Sequence, residues 1–167
     1  MNIRLATAAD IPAMLCLERQ SVTAGHWSEE HYERMFQPGP SAISQRLALV
    51  VDKGMNAPGP SGSAPAPILG FAVARAVFAP QADPEWELEN IVVAPAACRK
   101  GLGGELLAEL LRRAQQTNSE SVFLEVRESN TVARAFYQKW GFQEMGRRKG
   151  YYENPHEDAI LYRRKLP

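Results

Sequence analysis

A turn rich in glycine and positive charge is the part of this sequence that most clearly predicts chemistry. Residues 99–104, RKGLGG, follow the apolar run 91–93 and precede a helical pattern of leucines. A helix that begins on glycines exposes backbone N–H groups, and these lie at the positive end of the helix dipole. Arg99 and Lys100 add two formal charges. The turn therefore predicts a phosphate ligand, and a pyrophosphate fits it best.

Known phosphate-binding motifs do not describe this turn. It lacks the GxxxxGK[ST] spacing of a P-loop, and a dinucleotide fingerprint would need glycine where Leu106 stands. Two interpretations stay open on the residues alone. The turn is either an anion site or a plain glycine-rich helix start.

Three later side chains each have a structural and a chemical interpretation. Glu125 falls inside the apolar stretch 122–126, where a carboxylate is costly to bury unless it is paired or used. An ion pair with Arg127, two residues on and on the same strand face, is the structural alternative. Tyr137 fits a core aromatic, and Asn130 fits a helix cap.

The apolar periodicity predicts a mixed α/β (α+β) fold in a single domain, 1–167. Predicted strands cover 3–6, 46–51, 68–78, 88–93, 122–126, 142–149 and 159–165. Helices are predicted from residue 11, over 28–36, after the glycine turn and over 130–140. This order predicts a mixed sheet with a meander in the middle and crossover helices toward the end. The segment 54–67, GMNAPGPSGSAPAP, is predicted to be a mobile loop within the domain.

Composition limits the classes of partner. The 167 residues carry 19 Lys+Arg and 19 Asp+Glu, so no net charge draws the chain to nucleic acid or an anionic membrane. Cys16 and Cys98 have no metal-ligand spacing, which predicts reduced thiols, no metal site and a cytoplasmic protein. No apolar run is long enough to span a bilayer. The oligomeric state is left open between monomer and weak dimer.

Several motifs resemble the GNAT acyltransferase superfamily. The turn is similar to its motif A, [QR]-x-x-G-x-[GA], although Cys98 stands at the [QR] position. The segments LEVRESN, 124–130, and AFYQKWGF, 135–142, resemble the signature of the ribosomal-protein-alanine N-acetyltransferases, the RimI type. The pair YY at 151–152, HEDA at 156–159 and WSE at 27–29 match the same group. The resemblance covers nearly the whole chain apart from 54–67.

The resemblance implies a GNAT fold and acetyl-CoA as co-substrate. In that fold the strand before the turn splays from the strand that carries Glu125, so its free backbone groups grip the pantetheine arm. One N–H near Val93 would polarise the acetyl carbonyl. The residues assigned to acetyl-CoA in this way are Ile91, Val92, Val93, Arg99, Lys100, Gly101, Leu102, Gly103, Gly104 and Asn130. Cys98 lies on the pyrophosphate side, so the resemblance implies direct attack without an acyl-enzyme.

The resemblance also assigns the two catalytic residues. Glu125 would be the general base that deprotonates the incoming ammonium, and Tyr137 would protonate the departing CoA thiolate. An α-amine with a pKa of about 8 loses its proton at pH 7 at a cost of about 1.4 kcal/mol, whereas lysine at about 10.4 costs about 4.6 kcal/mol. This difference favours an N-terminal α-amine as acceptor. The resemblance points to the terminal alanine of a small-subunit ribosomal protein.

Other ionisable residues receive secondary interpretations. Glu85, Glu87 and Glu89 are interpreted as a solvated rim, with Glu87 or Glu89 as a reserve base. An acidic rim would also attract a positively charged acceptor. His156 is interpreted as structural or substrate-lining. His26 and His31 are expected at the surface.

Two alternative functions stay open. The first is an acetyltransferase for lysine or a small amine, because the segments 21–45 and 54–67 lie where such enzymes vary their acceptor sites. The second is a non-catalytic CoA-binding sensor or interaction module. That module would keep the glycine turn and lose the base and acid, so the presence of Glu125 and Tyr137 argues against it.

Overall fold

The structure is a computed structural model that describes residues 1–21, 25–37, 45–54, 67–78 and 80–167. The predicted mobile loop at 54–67 lies outside these residues except at its two ends. Its mobility therefore stays a prediction.

The described helices and strands follow the predicted order. The strands are β1 (Asn2–Leu5), β2 (Arg46–Asp52), β3 (Ile68–Val77), β4 (Glu85–Val93), β5 (Ser121–Arg127), β6 (Gln143–Glu153) and β7 (His156–Lys165). The α-helices are α1 (Ile11–Arg19), α2 (Glu29–Phe36), α3 (Leu102–Gln116) and α4 (Thr131–Lys139), with short 3-10 helices at Ala8–Asp10 and Pro95–Ala97. None of the described helices combines the length and the apolar character needed to cross a membrane.

One seven-stranded sheet has the order β1-β2-β3-β4-β5-β7-β6. Strand β5 pairs with β7, and β6 with β7, in the antiparallel sense, whereas β4 and β5 are parallel. The parallel ladder has three residue pairs, from Glu85 with Ser121 to Glu87 with Phe123. Both strands continue beyond it, to Val93 and Arg127. The predicted mixed sheet is confirmed, with β4 and β5 as its parallel pair.

Strand boundaries differ from the prediction by more than one residue at two places. Strand β4 begins at Glu85 instead of residue 88, because its three glutamates alternate with the buried Trp86, Leu88 and Asn90 and so belong to the same pleat. Strands β6 and β7 are longer than predicted and nearly meet at residues 154–155. An ion pair between the two strands, from Arg147 to Asp158 at 3.1 Å, stabilises the hairpin.

The chain divides into two compact units. The first contains residues 1–74 and 90–110, and the second contains residues 75–89 and 111–167. The core of the first unit is formed by Ile11, Met14, Leu15, Leu17, Tyr32, Ala48, Val50, Ile68, Phe71, Val73 and Val92. The second unit buries Trp86, Leu88, Val122, Leu124, Tyr137, Phe142, Ile160 and Tyr162.

Candidate active site

The glycine turn of the first unit adopts a conformation that leaves the start of α3 open. Arg99 and Gly101 have left-handed φ values of 61° and 85°, a region that favours glycine and that presents successive N–H groups to one side. The first backbone bond of the helix runs from the Glu105 N–H to the Gly101 carbonyl, at 3.0 Å. The N–H groups of Leu102 and Gly103 precede that bond and therefore have no partner within the helix. Anion binding at this turn stays a prediction.

The side chains of Cys98 and Lys100 donate hydrogen bonds to backbone carbonyls that precede the turn. Lys100 Nζ donates to the Ala96 carbonyl at 3.0 Å, and Cys98 Sγ donates to the Val93 carbonyl at 3.7 Å. Cys98, at the position where motif A has Gln or Arg, therefore connects the turn to the end of β4. The charge of Arg99 is exposed. The roles of Arg99 and Lys100 toward a ligand stay predictions.

The end of β4 lies very close to β3. A Cβ atom on Gly70 would lie 2.8 Å from the Val92 carbonyl oxygen, so glycine permits the approach. The Ala94 N–H donates to the Leu69 carbonyl at 2.8 Å. The last residues of β4, which include Ile91, are therefore fixed by backbone contacts. Their predicted contact with pantetheine is untested.

One buried carboxylate of the first unit, Glu18, was not predicted from the sequence. Glu18 is 1% exposed and accepts from the Trp27 N–H at 3.0 Å and from Asn90 Nδ2 at 2.6 Å. Burial raises the pKa of Glu18, and burial together with the Glu18 carboxylate raises the pKa of Tyr32. The available signal was helical spacing, because Glu18 lies four residues after the buried Met14 on the apolar face of α1.

Glu125 lies on β5 in the second unit with 16% of its side chain exposed. Its Oε1 accepts from Arg148 Nη1 at 2.8 Å. The structural alternative, a pair with Arg127, is wrong, because Arg127 reaches β7 instead and donates to Glu157 at 2.8 Å. Its guanidinium also lies 4.0 Å over the Tyr152 ring. Glu125 is therefore a partly exposed carboxylate with a partner that the sequence did not indicate.

Tyr137 is a core aromatic of the same unit, as one interpretation predicted. It is 7% exposed and lies on α4, with ring centroids 5.7 Å from Phe142 and 6.5 Å from Tyr162. Burial, with a smaller contribution from Tyr152, raises the pKa of the Tyr137 hydroxyl. The hydroxyl is therefore protonated at neutral pH, which is the state that a proton donor needs.

Asn130 caps α4, as predicted. Its Oδ1 accepts from the Ala133 N–H at 3.1 Å, which satisfies one of the unpaired donors of the first helical turn. The predicted hydrogen bond from Asn130 to the cofactor is untested.

The three glutamates of β4 do not form a solvated rim. Glu87 and Glu89 share Arg75, at 2.5 Å and 3.4 Å, and their side chains are 20% and 12% exposed. Glu85 lies 3.4 Å from Arg163. Arginines from β3 and β7 compensate these partly buried charges, so that interpretation was wrong. Glu87 and Glu89 stay untested as reserve bases.

The histidines occupy three different environments. His31 is half-buried against Trp27, with ring centroids 4.4 Å apart, and burial lowers its pKa, so its predicted surface position is wrong. His26 is exposed, as predicted. His156 begins β7 and is exposed. Its imidazole lies 2.8 Å from where a Cβ on Gly150 would stand, a close contact that fits the structural interpretation.

Comparison with known proteins places these features in a family. The profile of the acetyltransferase (GNAT) family matches residues 21–142. A curated relative from Salmonella typhimurium, a [ribosomal protein bS18]-alanine N-acetyltransferase, is 32% identical over 162 residues, which cover 96% of this chain and 94% of the relative. The Haemophilus influenzae protein of the same name is 39% identical over 97 residues, 56% of this chain and 62% of that protein.

Solved structures agree with the fold. The crystal structure of the ribosomal-protein-S18-alanine N-acetyltransferase from Escherichia coli matches with a TM-score of 0.72 and 27% identity, covering 99% of this chain and 93% of that chain. Arabidopsis thaliana NAA60, solved in complex with acetyl-CoA, matches with a TM-score of 0.81 and 17% identity over 99% and 98% of the two chains, and at this identity shows the fold alone. The chain therefore belongs to the acetyltransferase (GNAT) family and is an acetyl-CoA-dependent N-acetyltransferase.

Proposed function

We propose that this chain transfers the acetyl group of acetyl-CoA to the N-terminal α-amine of a protein, with the terminal alanine of a ribosomal protein as acceptor. The proposal depends chiefly on one observation. A partly exposed carboxylate, Glu125, and a buried, protonated phenol, Tyr137, lie in the same compact unit. The relative matched over nearly its whole length is named for this acceptor. A ribosomal acceptor also makes the cytoplasm the expected location.

In this mechanism Glu125 removes one proton from the acceptor ammonium. The amine nitrogen then forms a bond to the acetyl carbon, and the bond from that carbon to the CoA sulfur breaks. Tyr137 gives its proton to the departing thiolate. The second proton, which the nitrogen loses as the amide forms, returns the Tyr137 phenolate to the phenol. A single carboxylate suits an α-amine, because the ammonium of lysine is harder to deprotonate by about 3 kcal/mol at equal pH.

The first unit supplies a site that fits a pyrophosphate. The open N-terminus of α3, the left-handed Arg99 and Gly101 and the exposed charge of Arg99 together offer N–H donors and positive charge to an anion. Residues 99–104 would hold the pyrophosphate of acetyl-CoA, and the backbone of Ile91–Val93 its pantetheine arm. Bound there, acetyl-CoA supplies the activated acetyl group.

The experiment measures free thiol released from acetyl-CoA with short peptides that differ in their first residue. Peptides that begin with alanine or serine should react best. Glu125→Gln and Tyr137→Phe should each lower turnover about ten-fold or more while acetyl-CoA still binds. Glu153→Gln, on an exposed residue of β6, and Tyr162→Phe, on an equally buried tyrosine, are the matched controls and should retain activity.

Three results would contradict the proposal. Reaction confined to lysine side chains would assign a different acceptor. Binding of acetyl-CoA with no transfer to any peptide would favour a CoA-binding module. Loss of acetyl-CoA affinity with unchanged turnover in Glu125→Gln or Tyr137→Phe, measured by calorimetry, would remove those residues from the chemistry.

A further inference from the structure

Glu125, the carboxylate that is proposed as the base, forms an ion pair with Arg148. Arg148 Nη1 lies 2.8 Å from Glu125 Oε1. An acceptor ammonium that approaches the same carboxylate would meet a like charge at short range, and the two cations repel each other. The acceptor and Arg148 therefore compete for Glu125.

The Arg148 side chain is positioned so that it can move away from Glu125. Its side chain is 54% exposed, and its guanidinium carbon lies 5.1 Å from the ring centroid of Tyr151, which is itself half exposed. The β6–β7 ladder shifts register between Arg148 and Tyr152, and Gly150 has a left-handed φ of 58°. Among the described residues, a rotation of the Arg148 side chain into solvent breaks the ion pair with Glu125 and the contact with the Tyr151 ring.

The neighbouring arginine shows the contrast. Arg147 is fixed by two carboxylates, Glu128 at 2.7 Å and Asp158 at 3.1 Å. Asp158 also accepts from the Gly150 N–H at 2.8 Å, so Arg147 belongs to the framework of the hairpin. Arg148 has Glu125 as its ion-pair partner in the described part of the chain.

Among the described residues, the other groups around Glu125 add no unpaired cation. Leu161 lies opposite Glu125 on β7 and carries no charge. The charge of Glu125 raises the pKa of Tyr151, and burial raises that of Tyr152, so both phenols are neutral at pH 7. Glu87 and Arg148 also shift the pKa of Tyr151, and Arg127 and Glu157 that of Tyr152. Arg75 interacts electrostatically with Tyr151. Arg75 is paired with Glu87, and Arg127 with Glu157.

Building on the function proposed above, we propose that Arg148 is a placeholder for the acceptor. Its guanidinium occupies the position of the α-ammonium at Glu125 in the free enzyme and leaves when the acceptor binds. Arg148 is thus a positioning residue that acts through Glu125. It selects for acceptors with a positive charge, because a neutral group gains nothing from the carboxylate that Arg148 would give up.

The test measures binding of a short alanine-initiated peptide to the full chain in the presence of CoA, where no acetyl group is available for transfer. Arg148→Gln should lower the Kd of the peptide about three-fold or more. The same peptide with an acetylated N-terminus lacks the ammonium and should bind both proteins equally. Arg148→Lys keeps the cation and should restore the original Kd.

Two further variants separate a placeholder from a structural ion pair. Arg147→Gln removes the same charge from the next residue and should leave the Kd of the peptide unchanged. In a Glu125→Gln background, Arg148→Gln should have no further effect on the Kd, because the competition is gone.

Weaker peptide binding in Arg148→Gln would overturn the proposal, since Arg148 would then hold the acceptor. An unchanged Kd in Arg148→Gln would make the ion pair purely structural. The binding readout requires no turnover. A failure of the proposed base, seen as full activity of Glu125→Gln, is therefore distinguishable from a failure of the placeholder.

Discussion

Glu18 and Glu125 are two glutamates that the protein surrounds in opposite ways. Glu18 is enclosed in the first unit and is held by neutral donors, the Trp27 N–H and the Asn90 amide. Glu125, in the second unit, retains contact with solvent and is held by the cation Arg148. Burial raises the pKa of Glu18.

The contrast separates a carboxylate with structural partners from the one that is proposed as the general base. A base must exchange protons with an acceptor and with water, so it needs an accessible edge and a partner that it can release. Glu18 has neither, and its hydrogen bonds fix the segment around Trp27 against β4. Glu125 has both. For these two glutamates, the chemical nature of the partner therefore distinguishes the proposed base more clearly than burial does.

The largest expected effect is on stability at Glu18. Glu18→Ala leaves the Trp27 N–H and the Asn90 amide buried without an acceptor, which should lower the free energy of unfolding by about 3 kcal/mol. Urea unfolding measures the change, with the exposed Glu33→Ala on α2 as control. A loss no larger than that of the control would show that Glu18 has no structural role.

The second expected effect is the pH dependence of stability that Glu18 contributes. Because its pKa is higher in the folded than in the unfolded chain, Glu18 stabilises the fold when protonated. That contribution is complete below the unfolded value of 4.5 and is lost as pH rises through the raised folded pKa. The difference in unfolding free energy between the parent and Glu18→Gln should fall over this interval by at most about 1.4 kcal/mol per pH unit. A constant difference would contradict the assignment.

The smallest expected effect is on stability at Glu125. A partly exposed ion pair contributes little, so Glu125→Gln should change the free energy of unfolding by less than about 1 kcal/mol. The same urea experiment measures it, with Glu153→Gln as the matched substitution. A loss as large as that of Glu18→Ala would remove the distinction between the two glutamates.

Local patterns predicted most of the fold. The order of helices and strands, the glycine turn before α3 and the Asn130 cap all follow from residues within one or two turns of each other. The boundary errors lie where charge replaces apolar periodicity, at the start of β4 and around the β6–β7 turn. At these places ion pairs such as that of Arg75 with Glu87 stabilise the strands. The apolar periodicity of one strand cannot reveal such pairs.

The candidate site was predictable in its residue types and not in its partners. Glu125 and Tyr137 were identified through resemblance, and their environment was not. The pair of Glu125 with Arg127 was a reasonable prediction from same-face spacing, but Arg127 is drawn to Glu157, 30 residues away. The sequence did not indicate Arg148 as the partner of Glu125, because a charged residue in a polar stretch cannot be told apart from an ordinary surface residue.

The sequence by itself determined the family, the element order and the open helix start at residues 99–104, since each depends on short-range patterns. Only the tertiary structure decided which polar side chains pair. Glu18 accepts a hydrogen bond from Asn90, 72 residues away, and Glu125 pairs with Arg148, 23 residues away. The physical reason is that strand register and helix docking select these partners when the chain folds, and neither is encoded in the spacing of the residues that they bring together.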